Sequence, residues 1–108
     1  MINKKNIFGD IPAEFPDELF KEILAGNTFK MERIVSRGHA SPEGFWYDQE
    51  ENEWVILLQG SAGLSFEGRE ESVVLHSGDY IRIPRHLRHR VEWTDPDQET
   101  VWLAVQYK

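Results

Sequence analysis

Cysteine is absent from the 108 residues, and its absence removes disulfides, thiolate nucleophiles and sulfur-ligated zinc together. Any metal would be held by nitrogen and oxygen. No apolar run approaches the ~18 to 20 residues needed to span a bilayer, and Lys4 and Lys5 lead into no apolar stretch of the kind a secretory signal requires. A soluble, cytoplasmic chain with no membrane partner is expected. Positive charge is also in short supply, with 12 Lys and Arg against 19 Asp and Glu, whereas affinity for nucleic acid comes mainly from neutralising phosphates with basic side chains. Nucleic acid is not an expected partner. The sequence has no GxSxG elbow, phosphate-binding loop or HExxH pair. It is too short for two cores and shows no internal repeat, low-complexity tract or interdomain linker.

What is present is a 40% hydrophobic share with 4 Trp, 3 Tyr and 6 Phe, organised as an arm (1–28) and a single β domain (29–108). Within the arm, Pro16 to Gly26 predicts one short helix. Proline suits a first helical position, Asp17 and Glu18 complement the helix dipole, Gly26 offers a left-handed stop, and Leu19, Phe20, Ile23 and Leu24 make an apolar face. From Phe29 the pattern turns to alternation, with Phe29, Met31, Arg33 and Val35 on one side and Lys30, Glu32 and Ile34 on the other. Ser36 to Gly44 reads as loop, and Phe45-Trp46-Tyr47 as resumed strand. Glu53 to Gln59 is apolar on both faces, which predicts a central strand with Glu53, Val55 and Leu57 sharing one face. Further strands are expected at Ala62 to Glu67, Val73 to Leu75, Tyr80 to Ile83, His89 to Trp93 and Val101 to Tyr107. Short strands at even spacing, separated by glycine turns, indicate an antiparallel sandwich or barrel.

Two segments carry a sharper signal. Glu53 is followed after six residues by Gly60, and Gly78 is followed by Pro84 after five residues and by His89 after four more. This spacing resembles the two motifs of the cupins, G(X)5HXH(X)3-4E(X)6G and G(X)5PXG(X)2H(X)3N, over roughly Phe29 to Gln106. The two histidines of the first motif are replaced by Tyr47 and Gln49, or by Trp46 and Asp48, depending on the spacing. In the second motif His86 stands at the inner glycine and Trp93 at the asparagine. The resemblance implies an all-β, antiparallel double-stranded β-helix (jelly-roll) barrel with Glu53 and His89 facing one cavity. It also implies a homodimer, since small cupins commonly pair by sheet packing or strand exchange.

Two functional readings follow. In the first, Gln49, Glu53 and His89 hold one divalent ion (Zn, Fe, Mn or Ni), with His86 as an alternative ligand, and the ion acts as Lewis acid on a small oxygen-rich or anionic molecule. Tyr47 and Glu53 are then the candidate catalytic groups, Tyr47 as proton or hydrogen-bond donor. In the second reading the barrel captures a small ligand without a tightly bound metal and without turnover, anchored by Tyr47, Gln49, Glu53 and His89. Amide and phenol are poorer donors to first-row ions than imidazole and carboxylate, which weighs on the first reading. Arg85, in the loop beside the expected barrel mouth, is a candidate for binding a carboxylate or phosphate. Gln106 shares a face with Trp102 and Ala104, and either reaches the cavity or is a buried, satisfied glutamine. Arg88 and Arg90 alternate with His89 and should point outward; His39 and His76 read as surface histidines. Val91 and Trp93 are expected to share the His89 face.

Overall fold

The structure, a computed structural model, describes residues 2–108; Met1 of the expected arm lies outside the described residues. Eight strands follow one another: β1 (Leu19–Ala25), β2 (Phe29–Ser36), β3 (Asn52–Gln59), β4 (Ser61–Phe66), β5 (Val73–His76), β6 (Tyr80–Ile83), β7 (His89–Thr94) and β8 (Thr100–Tyr107). They form a five-stranded sheet in the order β1-β2-β8-β3-β6 and a three-stranded sheet in the order β5-β4-β7, and every pairing is antiparallel. This is the double-stranded β-helix expected from the sequence. The strand that is apolar on both faces, β3, does sit inside its sheet, between β8 and β6.

The two sheets bury their inner faces against each other. Val55 and Leu57 of β3, Ala62, Leu64 and Phe66 of β4, Leu75 of β5, Ile83 of β6, and Trp102 and Ala104 of β8 make one core. Each belongs to the inward parity of its strand, so period-two alternation and burial agree. Burying a Val, Leu, Ile or Phe side chain contributes roughly 1.5–3 kcal/mol, and this apolar half of the sandwich supplies most of what holds the sheets together.

The expected helix does not form. Leu19 to Ala25 pairs with β2 as an edge strand, from Leu19 opposite Val35 to Ala25 opposite Lys30, with a bulge between Glu22 and Leu24. An eleven-residue helix is marginal alone, whereas strand pairing satisfies the backbone groups along the edge of β2. The bulge also accounts for the misleading pattern. It shifts strand parity by one residue, and apolar positions at 19, 20, 23 and 24 then mimic a helical period. Among the described residues there is no helix.

Two smaller expectations also change. Phe45-Trp46-Tyr47 is not a strand; only Tyr47 makes an isolated bridge, to His89. In β7 the register slips against β4, from Gly63 opposite Trp93 to Leu64 opposite Val91, and the extra residue, Glu92, turns Trp93 outward and Thr94 inward. Trp93 therefore does not share the face of His89 and Val91. Its indole lies over Gly63, where any side chain would collide with it.

The arm is tied down by polar contacts. The Arg33 guanidinium, almost fully buried, donates to the carbonyls of Ile7 and Gly9 at 3.0 and 2.6 Å. His39 Nδ1 accepts from the Arg37 amide at 2.9 Å, which leaves its Nε2–H to donate to the Pro16 carbonyl at 2.9 Å, and its ring stacks on Phe15. Arg90 donates to the carbonyls of Ser41 and Pro42, holding the long loop against β7.

Gly60 and Gly78, the two motif glycines, both have positive φ (92° and 93°), a region that side chains resist. Their surroundings differ. A Cβ on Gly60 would come within 2.7 Å of the Thr100 Cα and 2.9 Å of the Glu99 carbonyl oxygen, while one on Gly78 would meet nothing within 4 Å. Gly78→Ala should therefore cost about 1–2 kcal/mol, the backbone cost alone. Gly60→Ala adds a clash with backbone that cannot swing away, and about 2–4 kcal/mol is expected. Urea unfolding of the two variants checks the order; equal losses would remove the steric argument.

Candidate functional site

Between the sheets, beside the apolar core, lies a cavity of about 100 Å³. Every strand except β5 contributes to its wall. The polar lining comprises Glu18, Glu32, Tyr47, Gln49, Glu53, His89 and Gln106, and the apolar lining includes Phe20, Ile34, Val55, Leu64, Ile83, Val91 and Trp102. No Lys or Arg is among the lining residues.

Glu53 and His89 meet here from opposite sheets. Glu53, on β3, lies at the inward parity shared with Val55 and is 8% exposed; His89 opens β7 and is 5% exposed. The His89 Nε2 stands 3.5 Å from Glu53 Oε1. His89 Nδ1 lies 3.0 Å from the Leu87 carbonyl, and a carbonyl can only accept, so Nδ1 carries a proton and Nε2 is the nitrogen presented to the cavity. The ring is held between Tyr47, stacked at 5.4 Å and 23°, and Phe66, tilted at 6.1 Å. Gln106 sits directly opposite Glu53 in the β3–β8 register, so the two side chains are neighbours on one face.

Backbone contacts place the two residues that replace the motif histidines. Tyr47 N–H donates to the His89 carbonyl at 2.7 Å, His89 N–H to the Tyr47 carbonyl at 3.1 Å, and His86 N–H to the Gln49 carbonyl at 2.9 Å. These three bonds fasten the 47–49 segment to the 86–89 segment. The Tyr47 phenol is pushed above its ordinary value of 10.0, by burial first and then by the charges of Glu18, Glu53 and Glu32. At neutral pH it is a hydrogen-bond donor and not a phenolate.

Not every candidate comes to the cavity. His86 is exposed, with Nδ1 2.8 Å from the Asp48 carboxylate, and takes φ 63°, the left-handed conformation that its motif position normally gives to glycine. It does not line the cavity. Neither does Arg85, an exposed loop residue whose N–H donates to Asn52 Oδ1. Arg88 pairs with Glu67 at 2.6 Å and lies over the Trp46 ring, so the outward reading of the arginines holds. Conversely, Glu18, Phe20, Glu32, Ile34 and Trp102 line the cavity without having been singled out. Strand parity with Ile34 was a usable signal for Glu32, and parity with Ala104 and Gln106 for Trp102. None existed for Glu18 and Phe20 while their segment read as a helix.

The donor set does not fit a tightly held metal. His89 and Glu53 present one nitrogen and one oxygen close enough to share an ion; Gln49, Gln106 and the protonated Tyr47 are weak donors toward first-row cations, and Glu18 and Glu32 line the cavity without being grouped with that pair. Among the described residues no three His, Cys, Asp or Glu side chains are grouped to hold an ion.

The sequence between residues 34 and 106 matches the family model described as Cupin domain. Among solved structures, the chain is similar to a putative mannose-6-phosphate isomerase from Ralstonia eutropha JMP134, with 47% identity over 99% of both chains and a TM-score of 0.95. It is similar in fold to an RmlC-like cupin protein from Desulfovibrio desulfuricans (13% identity, 99% of this chain and 97% of the other, TM-score 0.77). The same holds for an RmlC-like cupin family protein with a double-stranded β-helix fold from Methanocaldococcus jannaschii (15% identity, 99% and 92%, TM-score 0.71). No curated protein matches the chain.

Because the folded protein raises the Tyr47 value, the associated stability is fully present below pH 10 and is lost as pH rises through the folded-state value. Phenolate absorbance near 295 nm, taken as wild type minus Tyr47→Phe, should therefore have its midpoint above pH 10. Glu53→Gln removes one of the raising charges and should bring that absorbance to lower pH. An unchanged or upward displacement would mean that the carboxylate does not act on the phenol.

Proposed function

The chain belongs to the cupin domain family, and we propose that it is a small-molecule-binding barrel that works without a tightly held metal, its ligand anchored by Tyr47, Gln49, Glu53, His89 and Gln106. The observation that carries this reading is the donor chemistry of the cavity. It offers several hydrogen-bonding groups around an apolar wall, the usual make-up of a small-ligand site, but only one imidazole and one nearby carboxylate for an ion. The name of the Ralstonia protein suggests a phosphorylated sugar as ligand. Against a phosphate stands the lining itself, since a dianion would lose water beside Glu18, Glu32 and Glu53 with no Lys or Arg of the lining to receive it.

One observation favours a second, catalytic reading. An isomerase needs one group that takes a proton and another that returns it, and the His89 Nε2 and the protonated Tyr47 phenol belong to the same cavity wall. Solvent deuterium entering D-mannose 6-phosphate in the presence of the protein, and failing to enter with Tyr47→Phe, would put this reading first. No incorporation is the expected result.

Metal content tests the principal reading. Protein purified without a tag or chelator should contain well below one first-row metal per chain, and EDTA should leave its melting temperature unchanged. Near-stoichiometric metal that disappears with Glu53→Gln would overturn the proposal.

Assembly belongs to the same proposal. Among the described residues the outer edge of β1 has no strand partner, and Ile23 and Leu24 on it are 42% and 56% exposed, an aggregation liability unless covered. A symmetric homodimer covers that edge. Light scattering at micromolar concentration should give about twice the 12.6 kDa chain mass; a monomeric mass would remove this part of the proposal.

A further inference from the structure

We propose that the head group selected by this cavity is a small organic cation, a primary ammonium, in preference to a hydroxyl group or an anion. The inference rests on the ligand-binding reading above and specifies its ligand class.

The argument begins with Glu53. Of the three carboxylates in the lining, Glu18 is bonded by the Ser36 hydroxyl and Glu32 has Lys30 at 3.7 Å. The Glu53 side chain is 11% exposed, and its one ion-pair contact among the described residues, His89 Nε2 at 3.5 Å, is beyond the ordinary range of an N–H···O bond. The Nδ1 proton of His89 is already given to Leu87, so in the neutral ring Nε2 is a second acceptor without a donor. The Glu53 carboxylate therefore faces the cavity, where a ligand can reach it.

Two acceptors 3.5 Å apart leave room for one atom at about 2.9 Å from both. An ammonium nitrogen brings three N–H donors to that position, a hydroxyl only one, and a carboxylate or phosphate none. The surrounding charge has the matching sign. Glu18 and Glu32 line the same cavity, and Gln49 and Gln106 also border an outer depression lined by Glu50 and Glu51. In a partly dehydrated site a cation near these groups gains several-fold more Coulomb energy than in water. Phe20 and Val91 in the lining offer an apolar wall for a short alkyl chain on the ligand.

Three probes of equal carbon number separate the possibilities: propylammonium, 1-propanol and propionate, each titrated into the full ¹⁵N-labelled chain at pH 7 in EDTA. Propylammonium should shift the amides of Glu53, His89 and Gln106 with a Kd about tenfold or more below that of 1-propanol, a preference of about 1.4 kcal/mol. Propionate should leave them unmoved. Glu53→Gln should reduce the preference for propylammonium to within about threefold. Should that variant fail to fold, Glu32→Gln, at a half-buried position, should weaken propylammonium about twofold to threefold and leave 1-propanol unchanged. If 1-propanol or propionate binds the cavity as tightly as propylammonium, or both Glu variants leave its Kd unchanged, cation selection is overturned and the ligand-binding reading survives. If no probe moves the cavity amides, that reading falls as well.

Discussion

A polar pair held between two otherwise apolar sheet faces is the constraint around which this molecule is arranged. Glu53 comes from the larger sheet and His89 from the smaller, and both are nearly excluded from bulk water. Dehydrating such groups costs several kcal/mol per charge, and replacing a buried pair with packed apolar side chains is often neutral or stabilising. The pair is therefore not what holds the sheets together. That role falls to the cluster of Leu57, Leu64, Phe66, Leu75 and Trp102, which must stabilise the fold despite a cavity and a buried carboxylate at its side. The division of labour is visible along single strands: β3 runs from Glu53 in the site to Leu57 in the core with the same inward parity.

Fixing the imidazole takes more than strand geometry. Its Nδ1 is committed to Leu87, its faces are covered by Tyr47 and Phe66, and its backbone exchanges two bonds with Tyr47. Tyr47 lies in no strand, so this exchange is what brings the phenol to the cavity. The left-handed turn at His86 completes the arrangement by directing its N–H to the Gln49 carbonyl. His is among the non-glycine residues that enter this region more readily. Read that way, His86 is a turn residue whose ring goes to Asp48 at the surface, and the residue that looked like a spare ligand serves the backbone instead.

What the sequence made legible follows from which signals are local. The spacing from Glu53 to Gly60, and from Gly78 through Pro84 to His89, reflects turns with positive φ at both glycines, and such turns restrict the residue type wherever they occur. Alternation located β2, β3, β4, β6 and β8; the register shift between Leu57 and Gln59 falls at the end of β3, beyond its inward residues. Alternation failed at the bulges in β1 and β7. In β1 the bulge after Glu22 disguised a strand as a helix, and in β7 the bulge at Glu92 turned Trp93 outward. A bulge adds one residue without a mark in composition, and everything beyond it changes face. The loss of Glu18 from the expected site was a direct consequence, since only a strand at Leu19 to Ala25 carries the preceding residue to the cavity.

Charge shows the same difference between local and global information. The net charge of −7 coexists with a run of arginines from Arg82 to Arg90, one of which, Arg85, was the candidate for an anionic ligand. The fold separates them. Arg82 goes to the Tyr107 hydroxyl, Arg88 to Glu67, and Arg90 to loop carbonyls, each on the outward parity or in a loop, while Glu18, Glu32 and Glu53 converge on the interior from three different segments. A sequence run cannot report this, because period-two alternation sends the neighbours of an inward residue outward. Thus the basic cluster around His89 adds no basic group to its cavity: with His89 inward, Arg88 and Arg90 are committed to the other face.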